Sequence, residues 1–264
     1  MLLGFGLAAI LMGGNNSDLA KIDDGFKFKE SRTNSSVLEY HIPAYELQTV
    51  EENGKVLTKP VILHSGSSVM PGEPNLPSTT TFYAVEPGKS YSVQVNIIAS
   101  EMVENVDIIP LKTWDNEFEG AITRSPVYGN TDPFPESIAT ISETMVMREL
   151  HLVSVTVTPF QYHPFTNLLE VITEAEIELV ETGTENAGFV PSLRSRAFEP
   201  LYKSLVVNYE ALGRDMIDYQ RPSILYVLPN NIGNLFGTIT RKKNNNVEHC
   251  NFIYINDIVL AGHS

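Results

Sequence analysis

MRELHLVSVTVT at positions 147–158 and LEVITEAEIELV at 169–180 decide the fold. In the first, His151, Val153, Val155 and Val157 share one face, with Leu150, Leu152, Ser154, Thr156 and Thr158 on the other. In the second, Val171, Thr173, Ala175, Ile177 and Leu179 oppose Glu170, Ile172, Glu174, Glu176 and Glu178. Alternation with period two marks extended strands, and a row of four glutamates on one side must face water. Residues 159–167 between them, with two prolines and an asparagine, read as a long hairpin connection. The pattern recurs upstream. Leu38, Tyr40 and Ile42 alternate with Glu39 and His41, and Tyr45 and Leu47 resume the phase after Pro43. Glu51-Glu52-Asn53-Gly54 is a turn signal, and Lys55 to His64 reads as the returning strand of a hairpin. Tyr91, Val93, Val95 and Ile97 give another strand, and Val103 to Ile109 a further short apolar run. Many short strands with almost no helical period predict a mainly β protein, an antiparallel β-sandwich over residues 37–181. Asp115 to Ser142, polar and rich in Gly, Pro and Asn, reads as a long loop crossing one end of it.

The flanks have a different character. Leu2 to Met12 is apolar, but as a helix it would span roughly 16 Å against about 30 Å of hydrocarbon, so no stable membrane span is expected. Its length suits the heart of a signal peptide, assigned to residues 1–17, although no lysine or arginine precedes it. That reading makes the protein secreted or surface-bound. Residues 18–36 read as a flexible lead-in. Residues 182–220 carry linker chemistry, within which Phe198 to Tyr202 is suited to pack back on a domain surface. Ser223 to Leu228 is a continuous apolar strand of the kind buried on both faces of a parallel sheet. An α/β domain is therefore expected to begin at residue 221 and to be incomplete at 264.

Composition excludes several functions. With 18 basic and 32 acidic residues in 264, the formal charge of −14 repels phosphate backbones, so nucleic acid is not an expected partner. A single cysteine allows neither an internal disulfide nor a multi-thiolate zinc site. There is no Gly-x-Ser-x-Gly elbow, phosphate loop, His-Glu-x-x-His or calcium-loop pattern. The six histidines never fall at helical ligand spacing, and the glutamate row reads as a solvated face rather than a calcium site. His249 and Cys250 are neighbours in sequence and would point apart on a strand, which makes a poor catalytic dyad. No catalytic residue, cofactor site or metal ligand is assigned.

Gly66 to Gly88, GSSVMPGEPNLPSTTTFYAVEPG, carries a Gly-x-Pro-x-Leu-Pro segment followed by a strand and a Pro-Gly turn. Arg148 to Leu179 brings a strand, then Pro159-Phe160-Gln161-Tyr162-His163-Pro164, then a leucine-led strand ending in alternating acids. Phe198-Glu199-Pro200-Leu201-Tyr202, Val207-Asn208-Tyr209 and Ser223 to Pro229 follow in order. Over about residues 35–235 this succession resembles gingipain-type cysteine peptidase precursors: a propeptide, its junction and the first core strand of the peptidase. The resemblance implies a bacterial, secreted zymogen whose sandwich propeptide assists folding and keeps the peptidase latent. The implied partner is the cognate cysteine peptidase domain, in cis in a full-length precursor. The catalytic histidine and cysteine would lie beyond this chain, which alone should hydrolyse nothing. After Gly237 the likeness fades, as expected of a truncated or frameshifted product.

Two sets of residues are assigned roles on that basis. Arg124, in Gly120 to Pro126, is the candidate for a cleft-blocking loop: an arginine able to enter an acidic specificity pocket, with Pro126 restricting the backbone beyond it. Arg194 and Arg196 are candidates for the processing site, since they lie in linker-like sequence. The alternative is a stand-alone secreted β-sandwich acting as a binding or adhesion module. Ser223 to Pro229 separates the two, because such a module has no need of a parallel-type strand after a linker.

Overall fold

The computed structural model describes residues 23–112, 114–115, 118–119, 124–184 and 196–212, and beyond them the strands at 226–228, 240–243, 246–249 and 252–254. Strand β14 (Leu168–Thr184) is the spine of the first sheet. Along one edge it pairs with β7 (Lys89–Val103), from Leu169 opposite Val103 to Thr184 opposite Lys89. Along the other, β13 (Phe160–His163) pairs with its first residues and β2 (Ser35–His41) with the rest, while β1 (Phe26–Ser31) lies outside β2. In the second sheet, β12 (Leu150–Val157) is central. It is flanked on one side by β10 (Ala139–Ile141) and β11 (Met145–Met147), and on the other by β6 (Pro77–Ala84) and then β5 (Gly66–Ser67). Every pairing in both sheets is antiparallel.

The expected hairpin at 45–64 forms as β3 (Tyr45–Glu52) and β4 (Lys55–Ile62). Asn53 and Gly54 both take positive φ, 51° and 72°, which is the two-residue turn whose twist matches that of the strands.

The two sheets enclose a common core. Leu38, Ile172, Ala175, Ile177 and Leu179 of one meet Tyr83, Ala139, Val153, Val155 and Val157 of the other. Two polar pairs cross this layer: Tyr40 Oη lies 3.2 Å from Thr79 Oγ1, and the Tyr83 hydroxyl donates to Ser36 Oγ at 2.6 Å, whereas the buried Thr81 Oγ1 has no hydrogen-bond partner among the described residues. Burial without such partners would cost about 1–3 kcal/mol per group. The chain is thus a mainly β antiparallel sandwich, as the strand periodicity predicts.

One parity differs from the simple alternation. Ile172 joins Ala175, Ile177 and Leu179 in the core, while Leu169 and Val171 face a second cluster with Leu76, Ile108, Phe160 and Tyr162. The ladder with β7 shifts register between Ile172 and Ala175, and the extra residue of such a bulge exchanges the two faces. A single long strand thereby serves two cores.

Four stretches differ from their expected class. Residues 159–167, read as a hairpin connection, contain β13, and the strands on either side, β12 and β14, stand in different sheets. The lead-in 18–36 contains β1, held because Phe26 is buried and Phe28 packs on the core. The loop 115–142 contains a 3-10 turn at Pro126–Gly129 and strand β10, whose Ala139 is buried against the core, and it begins in a short pairing of β8 (Trp114–Asp115) with β9 (Phe118–Glu119). The linker 182–220 contains an ordered piece from Arg196 to Leu212, including helix α1 (Glu199–Leu205). The proposed signal peptide, residues 1–17, lies outside the described residues.

The chain divides into two compact units, Met1–Asp218 and Tyr219–Ser264. Within the second, β15 (Tyr226–Leu228) pairs in parallel with β18 (Phe252–Tyr254), and β16 (Thr240–Lys243) pairs antiparallel with β17 (Asn246–His249). Among the described residues, β15 with β18 is the one parallel pair of strands.

Candidate inhibitory loop and processing junction

Arg124 is the first described residue after 120–123, which lie outside the described residues. Ser125 N–H donates to the Gly72 carbonyl at 2.8 Å, and the Pro126–Gly129 turn follows. The Arg124 Nη2 donates to both Asp107 carboxylate oxygens, at 2.7 and 2.8 Å, and its guanidinium lies 4.4 Å from the centroid of the Tyr128 ring. Tyr128 in turn donates its hydroxyl to the Ile108 carbonyl at 2.8 Å and meets Tyr162 edge-on at 6.2 Å. Burial pushes the Tyr128 phenol well above its ordinary value, so it remains a neutral donor; the nearby guanidinium opposes the shift. The geometry makes Arg124 the pinned base of a loop. Asp107 and Tyr128 were not singled out from sequence, because the pairing joins residues 17 apart that no local pattern links.

The glutamate face is a ladder of ion pairs. Lys29 Nζ donates to Glu176 Oε1 at 2.7 Å and lies 3.1 Å from Glu39 Oε1. Arg32 bridges Glu30 and Glu178, and Lys89 bridges Glu86 and Glu181. The Lys29 ammonium beside Glu176 holds that carboxyl below its usual range. Cations from β1, the β1–β2 turn and the start of β7 thus pair with Glu176, Glu178 and Glu181. Among the described residues, no group of three or more His, Cys, Asp or Glu side chains is placed to hold a metal.

At the junction, Tyr202, Val206 and Tyr209 are buried against Ala84, Leu150 and Leu152 on the outer face of the second sheet. Leu150 and Leu152 stand on the face that alternation would leave wet, and this segment is what covers them. Their apolar character was the available signal. Val207 N–H donates to the Phe82 carbonyl at 2.8 Å. The Asn208 side chain then clamps one residue: its Oδ1 accepts from Ala84 N–H at 2.8 Å, and its Nδ2 donates to the Ala84 carbonyl at 2.9 Å. Arg148, in the left-handed region at φ 57°, lays its guanidinium 4.1 Å from the centroid of the Phe198 ring. Burial pushes the Tyr202 phenol up to about 12, keeping it protonated. Of the two processing candidates, Arg196 opens this ordered piece, and Arg194 lies outside the described residues. Cys250 also lies outside them, and His249 is placed only as the last residue of β17.

A family model described as Propeptide_C25 matches residues 20–217. The chain belongs to this propeptide family. Gingipain R2 of Porphyromonas gingivalis strain ATCC 33277 is 28% identical over 185 residues, covering 67% of this chain and 25% of that protein. Gingipain R2 of strain W83 is 32% identical over 149 residues, covering 53% and 20%. The chain thus spans about a quarter or less of the length of these relatives. A solved complex of Porphyromonas gingivalis RgpB pro- and mature domains aligns with a TM-score of 0.60 and 23% identity, covering 75% of this chain and 100% of the matched one. The sandwich is therefore the fold of a C25-type prodomain, and the resemblance read from residues 66–88 and 148–179 is that of a gingipain-type propeptide.

Proposed function

We propose that this propeptide is the secreted, latency-conferring and folding-assisting segment of a cysteine peptidase precursor, and that its partner is the peptidase domain on its carboxyl side. The observation that carries the reading is a change of architecture at one boundary. The family match ends at residue 217, the antiparallel unit ends at Asp218, and the next described strand, β15, is paired in parallel. Parallel pairing belongs to sheets covered on both faces, as in α/β domains. A free-standing adhesion sandwich has no use for it. In this reading the propeptide acts by occupying a cleft.

In this reading the loop ending at Arg124 is the blocking element. Arg124 exchanges the Asp107 carboxylate for an acidic group in the peptidase cleft, and the Tyr128 ring keeps the guanidinium oriented during the exchange. Cutting at Arg194 or Arg196 breaks the covalent link between the sandwich and the downstream chain. The chain, titrated against a gingipain-type peptidase, is expected to inhibit it, and Arg124→Ala to weaken the inhibition. Absence of inhibition by the intact chain refutes the proposal. Sequencing the amino terminus produced from a full-length precursor tests the processing site, and a start far from residues 190–200 refutes that part.

A further inference from the structure

We infer that residues 197–212 are a strap that remains bound to the sandwich after the chain is cut at Arg194 or Arg196, so that such a cut produces a nicked, still-associated species. This rests on the processing reading above for its biological setting, while the strap itself stands on contacts within the first unit.

The outer face of β6 and β12 receives a segment built of helix α1, a short extended step at Val206 and Val207, and a 3-10 turn at Tyr209–Ala211. It offers an apolar floor, Leu150 and Leu152, and the backbone edge of β6 at Phe82 and Ala84. The strap supplies what that surface needs: two aromatic anchors seven residues apart, Tyr202 and Tyr209, with Val206 between them. Its backbone runs beside β6 through Val207 N–H on the Phe82 carbonyl, with a parallel bridge between Phe82 and Val206. Asn208 saturates both the donor and the acceptor of Ala84, which no neighbouring strand reaches on that side. The Val206–Val207 step adds to the sheet edge over one bridge, while α1 and the following turn lay Tyr202 and Tyr209 on the apolar face. Every one of these contacts lies on the carboxyl side of Arg196. Breaking the peptide bond after Arg194 or Arg196 removes none of them. Only a break beyond Leu212 leaves the strap on the sandwich side of the cut.

The test uses the full chain with a recognition sequence for a site-specific protease in place of residues 186–192. After cleavage, the fragment bearing 197–264 is expected to co-elute with the sandwich on native size exclusion and to separate in denaturant. With a second recognition sequence between Leu212 and Asp218 also cut, the peptide carrying 197–212 is expected to stay with the sandwich. Tyr202→Ala, checked for a native near-ultraviolet spectrum before cutting, should let the nicked fragment leave about tenfold faster or more, from the lost anchor. Separation of the nicked fragments with Tyr202 intact overturns the inference, as does loss of the 197–212 peptide from the sandwich after both cuts. If native processing proves to lie elsewhere, the processing reading falls while the outcome with the engineered site still decides the strap.

Discussion

Asn208→Ala is the substitution that most directly measures how the junction is held. Asn208 is 4% exposed and its amide makes two hydrogen bonds, 2.8 and 2.9 Å, to the N–H and C=O of Ala84. Alanine removes both partners at once and leaves two buried backbone groups, each costing about 1–3 kcal/mol when unmade. Taken toward the lower end for each group, the expected loss is about 2–4 kcal/mol in total. For a unit of this size that corresponds to a fall in Tm of about 5–12 °C. Two further substitutions separate the clamp from a general loss of polarity. Asn208→Asp retains the acceptor for Ala84 N–H but replaces the donor with a carboxylate facing the Ala84 carbonyl, so it should be at least as damaging as alanine. Asn208→Ser, short and polar, should not rescue, because it cannot span both groups. Urea melts followed by far-ultraviolet circular dichroism supply the readout. A loss below about 0.5 kcal/mol for Asn208→Ala, the range of ordinary surface changes, refutes the clamp.

Other outcomes rest on the same structure. Gly25→Ala should cost about 2 kcal/mol or more, because Gly25 has φ +84° and an added Cβ would sit 2.5 Å from the His41 carbonyl oxygen; a normal unfolding midpoint would contradict this. Glu176 has its folded-state value lowered by Lys29, so its contribution to stability is present above the ordinary carboxyl value of 4.5 and is lost as pH falls through the lowered one. The difference in unfolding midpoint between the parent and Lys29→Ala should therefore be full at pH 7 and shrink below pH 4.5, and a difference independent of pH down to about 2 would reject the pairing. Asp107→Ala should loosen the base of the Arg124 loop, read as faster limited proteolysis between residues 113 and 125, and unchanged cleavage there would reject the anchoring role. Chelation should leave the melt of the isolated chain unchanged, since a metal bound only to the folded state would raise its stability; a fall in Tm with chelator would show a site.

Strand class was legible where alternation was regular, but pairing was not: β12 and β14 stand in different sheets, and the stretch read as their hairpin connection forms β13 against β14. The pair 147–158 and 169–180 showed its inward residues at Val153, Val155, Val157, Ala175, Ile177 and Leu179, all of which are in the core. The phase at Ile172 was not legible, because a bulge shifts parity without any residue type that demands it. β1 was hidden by charge: Lys27, Lys29 and Glu30 look like a mobile lead-in, yet Lys29 and Glu30 are rungs of the ion-pair ladder that makes the glutamate face tolerable. Arg124 was visible as a loop arginine, but its partner Asp107 is a contact of tertiary structure. The junction showed its aromatic residues, and the family resemblance supplied their meaning. The clamp by Asn208 was beyond reach, since an asparagine that substitutes for a strand looks no different from one in a turn.

The place of β14 in chain order has a bearing on biosynthesis. This strand holds β2 and β7 in register, yet it comes more than a hundred residues after β2, with Ser35 opposite Val180. At typical synthesis rates of about 5–20 residues per second, the amino-terminal strands wait on the order of ten seconds for the segment that organises them. Until then the exposed backbone edges of β2 and β7 are open to the wrong partners. A nascent chain halted near residue 165 should therefore be a client for ribosome-associated chaperones, and one extended past residue 184 should let them go.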